Sequence, residues 1–180
     1  MTRPFLPGDL DRKAVVNRIL RVDQAGELGA VRIYRGQMAV LGKGKAGPVI
    51  RRMAEQEQVH LETFNRLIGE RRVRPTLLSP LWHVAGFALG AGTALLGEKA
   101  AMACTVAVEE TIDRHYARQA EILGDDEPAL KETILKFRDD EIGHRDIGLE
   151  RGAERAPAYP LLSAAIRGGC RVAIWLSERV

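Results

Sequence analysis

Hydrophobic positions along this chain recur at intervals of three and four nearly from end to end, and seldom at two. That period lines one face of a helix with apolar side chains. Breakers divide the pattern into elements. A first helix is predicted over 11–41, ending where Gly42, Gly44 and Gly47 interrupt the chain. A second starts near Pro48, a residue suited to a first turn, and runs to 72. Pro75 and Pro80 bracket a break. Further helices are predicted over 98–123, closed by Gly124, over 126–151 with Pro128 in the first turn, and over 161–179.

The apolar stripes of four of these helices are interrupted at their centres by acid. In the second, Ile50, Met53, Phe64 and Leu67 share a face with Glu57 and His60. In the helix over 126–151, Leu130, Ile134, Phe137 and Gly148 share one with Glu141 and His144. The first helix carries Asp23 and Glu27 among Val16, Ile19, Ala30, Tyr34 and Met38. The helix over 98–123 carries Glu109 among Met102, Val106, Ile112 and Tyr116. An unpaired buried carboxylate costs several kcal/mol or more, so a positive partner is required inside.

The order of these residues is duplicated. Glu27 precedes Glu57 by 30 residues (57 − 27), and Glu109 precedes Glu141 by 32 (141 − 109). Each half, 11–72 and 98–151, is a helix hairpin bearing Glu and then Glu-x-x-His. A Glu from each of two helices and a Glu-x-x-His from each of two others is the ligand set of a ferritin-like di-metal carboxylate site. The expectation is an all-α, ferritin-like four-helix bundle over 1–180 as one domain, with one or two additional helices. Its metal ligands are Glu27, Glu57, His60, Glu109, Glu141 and His144. Four carboxylates against two divalent ions make the site neutral. A carboxylate-rich set without thiolate favours iron over zinc and leaves manganese open. At the adjacent pair Glu109 and Glu110, helical phase selects Glu109. Glu110 shares its face with Arg114, a surface pair that needs no metal.

The segment 76–97 holds no Asp, Glu, Lys or Arg, but Pro80 and four glycines interrupt it. It reads as a short hydrophobic helix, with membrane contact and burial against the bundle both open. Gly86 and Gly90 stand at a spacing suited to close helix contact or dimerisation.

Composition adds exclusions. With 46% hydrophobic and 28% charged residues the chain is globular. A net charge of +3, with short basic clusters at 42–45 and 71–74 and no aromatic residues among them, does not argue for nucleic acid and fits an anionic membrane surface better. Cys104 and Cys170 read as buried thiols in a reducing compartment. The opening MTRPFLPGDLDRK has neither an apolar core nor an Arg/Ser-rich amphipathic character, so no signal or transit peptide is expected there. A nucleotide-binding Gly-rich fingerprint is absent, so an external electron donor is expected.

At the stretches RVDQAGELGAVRIYRGQMAVLG, RPTLLSPLWHVAGFALGAGTALLGEKAAMACTVAVEE, RDDEIGHRDIGL and GCRVAIWLSERV the sequence resembles the demethoxyubiquinone hydroxylase family of ubiquinone biosynthesis. The resemblance spans essentially the whole chain and puts the family's iron ligands on the six residues named above. It implies a di-iron monooxygenase that uses O2 to hydroxylate a polyprenyl demethoxy-benzoquinol. It also implies contact with membrane lipid, a lipid-binding partner protein of the same pathway and a possible homo-oligomer. The location implied is peripheral: the cytoplasmic face of a bacterial inner membrane, or the matrix side of the mitochondrial inner membrane for a mature eukaryotic form. Tyr116, two turns beyond Glu109, is a candidate for lining the substrate pocket or relaying electrons, and His115 is a candidate catalytic neighbour. Asp23 is a candidate for orienting a ligand histidine, and Arg171 for pairing a carboxylate near the site. His83 reads as an interfacial histidine. The rival readings are a ferroxidase or peroxidase sharing the metal set, which gives no reason for the apolar segment, and a non-enzymatic lipid-binding bundle, which needs no oxygen-reactive site.

Overall fold

The computed structural model describes residues 10–180. The opening stretch, and with it the targeting expectation, lies outside the described residues. Six α-helices account for most of the chain, and no strand occurs among the described residues: α1 (Arg12–Leu41), α2 (Gly47–Arg71), α3 (Ser79–Leu95), α4 (Glu98–Leu123), α5 (Pro128–Glu150) and α6 (Tyr159–Ser177), with a 3-10 turn at Ala153–Arg155. The expected boundaries hold to within two residues.

Local chemistry sets the ends. Asp11 caps α1 by accepting from Ala14 N at 2.7 Å. Proline in the first turn opens α2, α3, α5 and α6. Gly97 (φ +107°) separates α3 from α4 in a conformation that a side chain would strain. Ion pairs then tie the hairpins to one another. Arg71, at the end of α2, makes a forked pair with Glu127 at 3.0 and 2.8 Å, just before α5. Arg12 donates to the last carbonyls of α4, at Ile122 and Leu123.

α1, α2, α4 and α5 form the four-helix bundle. Two apolar clusters fill its ends. One gathers Leu20, Phe64, Leu123, Ile134 and Phe137, the other Tyr34, Ile50, Met53, Met102 and Val106. Between them lies the acidic centre.

α3 lies on α1 at very short range. A Cβ on Gly86 would stand 2.8 Å from Gly29 O, and one on Gly90 would collide with Ile33 O. The small-residue spacing is therefore spent inside the chain, seating α3 on α1. The opposite face of α3 is left uncovered, with Leu81, Val84 and Leu95 each more than half exposed. The segment thus packs on the bundle and also presents apolar surface. No helix among the described residues is long and apolar enough to cross a membrane.

Candidate metal centre

All six expected ligands are buried, none more than 1% exposed. Their donor atoms form two overlapping groups, each within a span of 4.8 Å. Glu27, Glu57, His60 and Glu141 make one, and Glu57, Glu109, Glu141 and His144 the other. Glu57 and Glu141 belong to both. Each group could hold one cation, and the two would share Glu57 and Glu141.

The atoms facing the centre are chemically unmet. Both carboxylate oxygens of Glu57 and Glu141, one each of Glu27 and Glu109, and Nδ1 of both histidines are buried without a hydrogen-bond partner. They crowd one another instead: His144 Nδ1 lies 2.9 Å from Glu57 Oε1, and His60 Nδ1 lies 3.2 Å from Glu141 Oε1. Burial, and next the charge of Glu141, pushes the carboxyls of Glu57 and Glu109 well above the usual range. Burial pulls the His60 imidazole down, but the facing carboxylates of Glu141, Glu27 and Glu57 outweigh it and raise it to about 12. A cluster that so strongly demands positive charge, and offers only lone pairs, fits a pair of divalent cations. The donor set of oxygens and imidazole nitrogens suits iron or manganese.

The surroundings repeat the duplication. Tyr34, seven residues after Glu27, donates to Glu109 at 2.8 Å, and Tyr116, seven after Glu109, donates to Glu27. Each hydroxyl fixes the first of these glutamates in the other half. Gln37 and Gln119, ten residues after their respective glutamates, behave alike: Gln37 donates to Ala101 O at 3.1 Å, and Gln119 to Asp23 at 2.7 Å.

Nε2 of each histidine points away from the centre, to an acceptor on the opposite helix. His60 meets Asp140 Oδ2 at 3.2 Å, and His144 meets Gln56 Oε1 at 3.1 Å. These acceptors were not legible as such; their signal is the shared position one residue before each Glu-x-x-His.

Asp23 and Arg171 are placed otherwise than expected. Asp23 does not orient a ligand histidine. It accepts from Gln119 and lies 3.8 Å from His115, because one turn of α1 carries it beyond the reach of His60 and His144. His115 is half-buried beside Gln119, off the ligand cluster. Tyr116 is buried against Phe64 on the metal side of the bundle. Arg171 is exposed and donates to Arg167 O, so it pairs no carboxylate; Arg167 instead binds Glu110 at 3.0 Å. His83 is exposed, with its carbonyl accepting from Arg32. Glu110 also lies 3.8 Å from Arg114, the surface role that helical phase predicts. Cys104 is buried, but Cys170 is only half so; burial raises both thiols, to about 12 and about 11, which makes them poor nucleophiles.

Behind α1 and α4, away from the acids, lies an apolar cavity of about 530 Å³ walled by α1, α3, α4 and α6. Gly26 and Ala30 of α1 and Val108 and Ile112 of α4 line it. Gly26 and Val108 immediately precede Glu27 and Glu109, so the same two helices separate, and connect, the cavity and the acidic centre.

Fold and site define a helical bundle of the ferritin-like di-metal carboxylate class. Within that class, the chain belongs to the family described as ubiquinone biosynthesis protein COQ7, which matches residues 14–177. It is 65% identical to the 3-demethoxyubiquinol 3-hydroxylase of Rhodospirillum rubrum, over 97% of this chain and 83% of the relative. It is 59% identical to the human NADPH-dependent 3-demethoxyubiquinone 3-hydroxylase, mitochondrial, over 93% of this chain and 79% of the relative. To the 5-demethoxyubiquinone hydroxylase, mitochondrial, of Saccharomyces cerevisiae it is 44% identical, over 93% and 79%.

Proposed function

We propose that the protein is an O2-dependent monooxygenase that hydroxylates the ring of a 3-demethoxyubiquinol in ubiquinone biosynthesis. Identity of 65% to a hydroxylase of that name, along almost the whole chain, carries this reading. The residues supply its chemistry. When bound, a pair of ferrous ions supplies the activation of O2. Glu57 and Glu141 with Glu27 and His60, and Glu57 and Glu141 with Glu109 and His144, would hold the ions, while Tyr34 and Tyr116 keep the carboxylates of Glu109 and Glu27 in place. The balance is one ring C–H and O2, with two electrons and two protons, giving C–OH and water. The human relative's name makes NADPH the source of electrons; we assign the same donor class here.

The cavity suits the substrate. Its lining is apolar and dominated by small and aliphatic side chains, so a polyprenyl tail fits there while the quinol ring approaches Glu27 and Glu109 between α1 and α4. α3 and α6, which wall the cavity, also present uncovered apolar side chains, Leu95 at 75% exposed and Leu161 at 73%. These side chains suit lipid, or a lipid-binding partner protein, and make the protein peripheral on the membrane that holds its substrate. The human and yeast relatives are named as mitochondrial; for this chain we assign the cytoplasmic face of a bacterial inner membrane, or the matrix side of the mitochondrial inner membrane for a eukaryotic form.

The test is turnover of iron-loaded protein with demethoxyubiquinone, NADPH and ¹⁸O2 in lipid vesicles. One labelled oxygen in the new ring hydroxyl is expected. Iron oxidation or peroxide consumption without ring labelling would replace this reading with the ferroxidase or peroxidase one.

A further inference from the structure

The shell of the centre obeys its duplication almost everywhere. Glu27 answers Glu109, Tyr116 answers Tyr34, Gln119 answers Gln37, and the two Glu-x-x-His pairs answer one another. Among the groups bonded to the ligands themselves, it breaks at one pair of equivalent positions. The residue before Glu57 is Gln56, a neutral amide; the residue before Glu141 is Asp140, a carboxylate. Each is the hydrogen-bond acceptor for the histidine of the other half.

A ligating Nδ1 carries no proton, so the ring proton sits on Nε2 and is donated outward. For His60 it is donated to a carboxylate, for His144 to an amide oxygen. The orientation of that amide is fixed, because Gln56 Nε2 faces Asp140 Oδ1 at 3.5 Å and leaves Oε1 for His144. The two imidazoles are thus joined through one chain of contacts that ends in a charge on the His60 side only. A carboxylate draws on the Nε2–H bond more strongly than an amide does and makes Nδ1 the better donor.

We propose that Asp140 and Gln56 are positioning residues that make the two metal positions unequal: the ion at Glu27 and His60 is held more tightly and stabilised in its more oxidised state, and the ion at Glu109 and His144 binds second. This rests on the di-metal reading of the six ligands, and it assigns to the chain an order of loading and a built-in electronic difference between two otherwise duplicated sites.

Anaerobic titration of metal-free protein with Co(II), followed by calorimetry and visible absorption, tests both levels. Wild type should bind two ions in resolved steps. Asp140→Asn should weaken the tighter step by about 10–100-fold and leave the weaker one in place, so that the two merge. Gln56→Ala should weaken the second step and spare the first. In ⁵⁷Fe(II)-loaded protein, two distinct Mössbauer quadrupole doublets should draw together in Asp140→Asn. Circular dichroism monitors folding of each variant, and Gln56→Ala decides alone if Asp140→Asn does not fold. Two indistinguishable steps in wild type, or an Asp140→Asn effect that falls equally on both steps or on the weaker one, would overturn the inequality while leaving the di-metal reading intact. Folded wild type that binds no Co(II) would overturn the di-metal reading itself.

Discussion

The two chambers on either side of the α1/α4 wall handle burial in opposite ways. Towards α2 and α5 the wall turns Glu27, Tyr34, Glu109 and Tyr116, and the interior is filled with acid that only cations can make neutral. Towards α3 and α6 it turns Gly26, Ala30, Val108 and Ile112, and the interior is left open. One side is costly because it is charged, the other because about 530 Å³ of packing is missing. Both costs fall on residues adjacent in sequence. That adjacency puts the apolar cavity within one helix width of the charged centre.

The hardest blow to the charged chamber is removal of a charge. Glu109→Gln deletes one anion while keeping an amide oxygen that can accept from Tyr34, and should lower hydroxylation by orders of magnitude together with loss of bound iron. Glu110→Gln, one residue on, breaks only the surface pairs with Arg167 and Arg114 and should keep metal content, with activity within a few-fold. Iron stoichiometry and turnover measured side by side decide it, and the reverse ranking would place the charged face one residue along.

The open chamber breaks differently. A Cβ on Gly26 would meet nothing within 4 Å, so Gly26→Leu adds bulk to the cavity without displacing backbone. KM for a long-chain demethoxyubiquinol should rise by about tenfold, on the order of 1–2 kcal/mol of lost apolar contact. Iron content and thermal stability should stay near wild type. Loss of iron in this variant would mean that the chambers are not separate. On the outer rim, Leu81→Asp with Leu95→Asp should reduce flotation with anionic liposomes several-fold while helicity is retained, both residues being more than half exposed. Unchanged flotation would remove lipid as the cover of α3.

The charged chamber was far more legible than the open one. Burying acid is so unfavourable that four carboxylates on four apolar stripes admit few explanations, and the duplicated order supplied the rest. Helical phase sufficed to separate Glu109 from Glu110. Gln56 and Asp140 escaped notice because a polar residue beside a ligand looks like ordinary helix surface until the opposite helix is in place. Tyr34 had a signal that went unused, its sevenfold offset from Glu27 matching that of Tyr116 from Glu109. The cavity had almost none. It depends on where α6 comes to rest against α4 and across from α3, which long-range contacts such as Trp82 Nε1 to Ser177 Oγ at 3.0 Å establish, and a run such as Gly168, Gly169 and Cys170 looks the same in a packed helix as beside a void.

The smallest expected effect lies at the edge of the charged chamber and reads its polarity without metal. Burial first, and then the charge of Arg118, lowers the His115 imidazole to about 4, with Asp23 of α1 and Gln119 of α4 facing it. A histidine held neutral when folded gains a proton more readily when unfolded. Its contribution to stability is therefore complete above about 6.5 and is lost as pH falls towards 4. Between pH 7.5 and 5 that loss amounts to roughly 2 kcal/mol, a shift of several degrees in Tm for a chain of this size. Asp23 works against it. Burial raises its carboxyl well above the usual range, so its own contribution declines as pH rises through the same window. The informative quantity is thus the difference between wild type and His115→Gln, which removes the titrating ring and keeps a polar side chain beside Gln119. Wild type should lose more stability than the variant on acidification, in metal-free protein and in metal-loaded protein alike, because His115 touches none of the six ligands. Parallel melting curves at both pH values would mean that water reaches the ring and that the chamber's edge lies deeper, at Asp23.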